Sequence, residues 1–137
     1  MKNLFTKCRC IKLVLLLSSF LFTGLSQADV SIQLSAQECT VSVSIAANGC
    51  DADQCSGDST CVCASKGEHI KWDFSGDDKF KLKFSGDSPL KDNCGKNFKK
   101  KKHKCVVKDD TSKGQSYSYD IRLKSCANGT DPRIVIK

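Results

Sequence analysis

This sequence predicts an all-β fold: an antiparallel Greek-key β-sandwich of seven or eight short strands, stabilised by disulfides. Three observations carry the prediction. Apolar and polar residues alternate strictly in successive runs, turn residues interrupt those runs at short intervals, and eight cysteines fall between residues 29 and 137. Period-two alternation sends one set of side chains to a core and the other to water. Short strands separated by turn signals build a two-sheet sandwich. No stretch after residue 28 sustains a helical period. A length of 137 residues gives room for one ordinary domain and excludes a large multidomain enzyme. With 27% charged and 39% hydrophobic residues, the composition speaks against wholesale disorder, collagen and coiled coil.

Residues 1–28 read as a cleaved secretory signal peptide. Lys2, Lys7, Arg9 and Lys12 form a basic start, Leu13 to Phe22 an apolar stretch, and Ser26-Gln27-Ala28 supplies small residues before Asp29. The apolar run falls short of the roughly 20 residues that a membrane-spanning helix needs. The expectation is therefore a secreted or periplasmic protein rather than an integral membrane protein. Residues 1–28 carry four basic and no acidic residues, so the formal charge of +7 falls to +3 over residues 29–137. Cys8 and Cys10 belong to the leader.

In the remaining single domain, 29–137, the strand runs follow in order. Val30 to Leu34 and Val41 to Ile45 alternate first, then Ile70 to Phe74 and Phe80 to Phe84, then Tyr117 to Lys124, and Ile134 to Ile136 closes the chain. Asn48-Gly49, Ser75-Gly76-Asp77-Asp78, Ser85-Gly86-Asp87-Ser88-Pro89 and Asn128-Gly129 mark turns between them. Asn128-Gly129-Thr130 is also a glycosylation sequon, which matters only in a eukaryotic host.

Cys39, Cys50, Cys55, Cys61, Cys63, Cys94, Cys105 and Cys126 are the disulfide candidates. An even number in a short exported chain argues for a bridged framework, with a connectivity that spacing leaves open. Four of them crowd into the Gly-, Asp- and Ser-rich segment 50–63, which reads as a Cys-rich stapled loop. The competing reading is a metal-binding or redox protein with Cys and His ligands. It lacks the paired Cys-x2-Cys knuckles of structural zinc and the Cys-x-x-Cys of a redox motif. Asp51, Asp53 and Asp58 suggest calcium, but Ser56 and Val62 stand where an EF-hand needs Gly and Glu, so a solvated turn is expected.

The Lys-rich loop 96–104 holds Lys96, Lys99, Lys100, Lys101, Lys102 and Lys104, six lysines in nine residues. Such a run repels itself unless a polyanion neutralises it. Cys94 and Cys105 flank it and would anchor it if bridged. The expected partners are anionic surfaces or polymers: lipopolysaccharide, acidic glycans, anionic lipid headgroups or nucleic acid. An unknown protein partner is the alternative. Phe98 offers one stacking or insertion residue. The plainer reading is a solvated loop whose lysines keep an edge strand from pairing with other chains. His103, inside the run, and His69 are expected to be solvated.

Three stretches carry a family resemblance. Ile70-Lys71-Trp72-Asp73-Phe74 leads to Phe80 through Phe84 and Ser88-Pro89-Leu90. Gly114-Gln115-Ser116-Tyr117-Ser118-Tyr119 enters a long strand, and Asp131-Pro132-Arg133-Ile134-Val135-Ile136 ends the chain. Over roughly residues 68–137 these resemble the cupredoxin-like domains of small exported proteins, the plastocyanin and azurin type. The resemblance implies a Greek-key sandwich and, in copper-binding members, a Cys, two His and usually a weak axial Met. The matching loop, residues 124–132, offers Cys126 and neither His nor Met, and Met1 is the only methionine. No His lies between Asp77 and Phe80, where the upstream ligand is expected. The chain thus reads as a relative without the copper ligands and with no cofactor.

No Gly-x-Ser-x-Gly elbow, His-Glu-x-x-His or phosphate-cradling glycine loop occurs. Asp77-Asp78 and Asp109-Asp110 are carboxylate neighbours expected to point into water. The expected function is an exported, non-catalytic binding or structural module.

Overall fold

The computed structural model describes residues 29–126 and 129–137. The expected signal peptide, residues 1–28, and Asn128 of the sequon lie outside the described residues. Nine strands follow in chain order: β1 (Val30–Gln37), β2 (Thr40–Ile45), β3 (Cys61–Ala64), β4 (His69–Phe74), β5 (Phe80–Phe84), β6 (Lys102–Val106), β7 (Ser116–Leu123), β8 (Gly129–Thr130) and β9 (Arg133–Ile136). One 3-10 turn, Lys91–Asn93, lies between β5 and β6.

The strands form two sheets, ordered β2-β1-β4-β6 and β3-β9-β7-β5, with β8 paired to β7. The alternation acts as expected where it is strictest. Val30, Ile32 and Leu34 of β1, Ile70, Trp72 and Phe74 of β4, and Tyr119, Ile121 and Leu123 of β7 all point into one core. Trp72 and Tyr119 meet across it edge to face, centroids 6.1 Å apart, and the indole Nε1–H donates to Tyr119 Oη at 3.1 Å. That bond satisfies the donor that burial of an indole would otherwise strand.

Both sheets are mixed, contrary to the antiparallel expectation. β1 lies parallel to β4, with Ile32 opposite Trp72, and β3 lies parallel to β9, with Val62 opposite Ile134. Parallel neighbours need a long crossover. The chain supplies one between β2 and β4 by passing through β3 in the opposite sheet. Local alternation encodes which face is buried and carries no information on partner direction.

The strand count also exceeds seven or eight. β3 falls inside the expected Cys-rich loop, and all four of its residues are buried. With no exposed position, it shows no alternation to read. β6 takes in the last three residues of the expected Lys-rich loop, and along it Lys102 and Lys104 face out while His103 and Cys105 face in. β8 has two residues, too few for a pattern.

All eight described cysteines are bridged: Cys39–Cys126, Cys50–Cys63, Cys55–Cys61 and Cys94–Cys105. Cys39–Cys126 joins the β1–β2 turn to the end of β7 across 87 residues of chain. The other three close short segments of 13, 6 and 11 residues. Among the described residues, no helix is long and apolar enough to cross a membrane.

Candidate functional site

β5 is an edge of one sheet and β6 an edge of the other. Residues 94–101 run between these edges and hydrogen-bond to both layers. Leu82 N–H donates to Gly95 O at 2.8 Å, Phe80 N–H to Lys100 O at 3.4 Å, and Phe74 N–H to Lys101 O at 2.9 Å. Gly95 sits at φ +77°, and a Cβ there would lie 2.7 Å from Leu82 Cδ1, so only glycine lets the segment approach β5 this closely. The Cys94–Cys105 bridge clamps the segment to β6.

Period two in β5 directs Phe80 and Leu82 inward and leaves Lys81 and Lys83 outside. They face the lysine segment across a groove of about 420 Å³, lined also by Lys96, Asn97 and, as its one acidic residue, Asp87. A second hollow of about 210 Å³ shares Asn93, Cys94, Lys96 and Asn97 and extends past Lys99 and Lys100 to β6.

The lysines of the run divide into two groups. Lys101 pairs with Asp77 at 2.8 Å, Lys102 with Asp73 at 2.6 Å, and Lys104 with Asp29 at 3.2 Å. Neutralisation by the protein's own carboxylates thus relieves part of the repulsion, although solvent and salt screen each such exposed pair. Lys71 and then Lys104 hold the Asp29 carboxyl below its usual range, and Lys101 does the same for Asp77. By contrast, Lys96, Lys99 and Lys100, with Lys81 and Lys83 opposite, have no carboxylate within 4 Å among the described residues. Phe98 is half-buried, and Lys81 Nζ lies 4.6 Å from its ring centroid, so it serves as a platform for an ammonium instead of standing free to stack.

Three expectations need correction. His103 is not solvated: it is 8% exposed, its Nε2–H donates to Phe80 O at 3.1 Å, and its ring meets Phe80 edge to face at 4.7 Å. Alternation in β6 turns it inward. Burial, opposed by the Phe80 carbonyl and assisted by Lys100, lowers its pKa. Asp78 does not simply face water, because its Oδ2 accepts from the backbone N–H (2.9 Å) and Oγ–H (2.6 Å) of Ser125. Those bonds hold its carboxyl low. Asp58 is likewise engaged, accepting from Thr60 N–H at 2.8 Å and pairing with Arg133 at 2.9 Å. His69 is half-buried, 3.8 Å from Asp29.

The remaining cysteines form a second centre. In β3, Val62 and Ala64 enter the main core while Cys61 and Cys63 point together to the opposite face, where Cys55, Val135 and half-buried Cys50 close around them. Cys126, the one residue matching a copper ligand of cupredoxins, has its sulfur in the bridge to Cys39, so the residues present do not fit that copper site.

Lys81 and Lys83 were not among the sequence candidates. Alternation already placed them outward, but only the fold reveals that β5 lies beside the lysine run. In sequence, the chain matches no family model and no curated protein.

Proposed function

We propose that the chain is an exported, non-catalytic binding module, a disulfide-stabilised Greek-key sandwich of cupredoxin-like type, that contacts polyanions through its lysine-lined groove. The observation that carries this reading is a group of five lysines without carboxylate partners around two adjoining hollows, Lys81, Lys83 and Lys96 on the larger and Lys96, Lys99 and Lys100 on the smaller. A disulfide holds the segment that bears three of them, so little ordering entropy opposes binding. Lysine without arginine favours recognition of diffuse negative charge over bidentate phosphate geometry. Anionic glycans, lipopolysaccharide and nucleic acid share that chemistry. The cysteine cluster favours a second reading, metal or thiol chemistry at residues 50–63, under reducing conditions only.

The test replaces Lys96, Lys99 and Lys100 with Gln together and compares the variant with Lys66→Gln/Lys113→Gln, which removes exposed charge elsewhere. Retention on a sulfated-glycan resin, binding to single-stranded nucleic acid and association with lipopolysaccharide micelles are the three readouts. For the nucleic acid, the triple variant is expected to lower the slope of log K against log salt by about 2. The distal variant should leave it within a unit of wild type. Equal losses in the two variants would refute the groove as the contact.

A further inference from the structure

We propose that Cys50, Cys55, Cys61 and Cys63 form a redox-gated zinc site: closed as two disulfides when oxidised, and able to take one Zn²⁺ once both bridges are reduced.

Cys61 and Cys63 alternate with Val62, so both sulfurs leave β3 on the same side, and pairing with β9 fixes the strand that carries them. Cys63 N–H donates to Asn48 O at 2.7 Å, which draws the loop bearing Cys50 over that face. The two bridges consequently lie sulfur against sulfur. Cys50 Sγ is 2.9 Å from Cys55 Sγ, and Cys55 Sγ is 3.7 Å from Cys63 Sγ. The sulfurs of Cys50, Cys55 and Cys61 all fall within 4.8 Å of one another.

Tetrahedral zinc with Zn–S bonds of about 2.3 Å sets its sulfurs about 3.8 Å apart. Opening the two S–S bonds therefore needs sulfur displacements of an ångström or two. Cys55 can supply much of this shift, because the segment that carries it, residues 51–60, lies outside any strand. Cys55, Cys61 and Cys63 are buried, so thiolates formed there are shielded from water and gain from a metal. Soft sulfur donors without His or carboxylate select zinc over magnesium or calcium.

The redox step balances. Each bridge takes two electrons and two protons from a dithiol, which leaves as its own cyclic disulfide. Two such exchanges yield four thiols, and zinc displaces their protons as it binds.

The experiment starts from the oxidised full chain, reduces it with a water-soluble phosphine that becomes phosphine oxide, and adds Co²⁺ as a spectroscopic substitute for zinc without oxygen. The expected result is one cobalt per chain with thiolate charge-transfer and tetrahedral d–d absorption, abolished by added zinc. In parallel, zinc should protect Cys50, Cys55, Cys61 and Cys63 from alkylation while Cys39, Cys94, Cys105 and Cys126 react, as mapped by peptide mass. Cys94→Ser/Cys105→Ser should keep the absorption, and Cys55→Ser/Cys61→Ser should lose it. Absence of thiolate–cobalt absorption in the reduced wild type overturns the proposal. So does protection spread evenly over all eight cysteines.

Discussion

The indole of Trp72 and the phenol of Tyr119 are fully buried, and each lies within reach of the other's polar end across the core. Burial pushes the Tyr119 hydroxyl strongly upward, which keeps it protonated. Tyr119→Phe leaves the indole N–H without this acceptor and should cost about 1–3 kcal/mol, read from denaturant unfolding followed by the single tryptophan. His103 gives a second residue-level prediction. Its ordinary pKa of 6.5 is lowered in the fold, so the unfolded chain takes up the proton first as pH falls. Stability from this group is complete above about pH 6.5 and is lost as pH drops toward the folded value. The wild-type melting midpoint should fall between pH 7 and pH 5, and more steeply than in His103→Gln, which keeps a donor for Phe80 O but cannot titrate. Parallel slopes would remove His103 as the cause. At this scale the sequence was legible for Trp72 and Tyr119, whose apolar neighbours at i±2 announce a core face. It misled for His103, because six surrounding lysines masked a period of two that continues through Cys105.

Among the elements, strands with one wet face could be read from the sequence and strands without such a face could not. β1, β4, β5 and β7 alternate between core and solvent, and their runs are visible as written. β3 is buried throughout, and its two cysteines serve a second, smaller core that no periodicity describes. The loop above it depends on close backbone approach at Gly49, where φ is +70° and a Cβ would stand 2.6 Å from Cys63 O. Gly49→Ala therefore meets backbone, not a flexible side chain. It should destabilise by about 1–3 kcal/mol and make the Cys50–Cys63 bridge easier to reduce, measurable by timed alkylation. The Cys94–Cys105 clamp acts on the lysine segment in the same manner. Its joint replacement by alanine should cost about 2–3 kcal/mol by the loop-entropy account. It should also weaken polyanion binding more than Cys39→Ala/Cys126→Ala does, since that bridge lies away from the groove. Equal effects on binding would mean that the clamp contributes only general stability.

For the molecule as a whole, the formal charge of +3 over residues 29–137 says little, because its distribution decides the matter. Asp29, Asp73 and Asp77 neutralise the β6 end of the lysine run, while the groove end keeps its charge. The sequence displayed the run but not the partition, which depends on carboxylates from 24 to 75 positions away in the chain. Nor did it display the mixed sheets that bring β5 and β6 to the same side. The lysine contact is tested by an amide chemical-shift titration of the isotopically labelled protein with a sulfated oligosaccharide at two salt concentrations. The account predicts perturbations confined to residues 81–83 and 93–100, shrinking steeply as salt rises. Shifts scattered over all exposed lysines, or centred on Lys66 and Lys113, would contradict it.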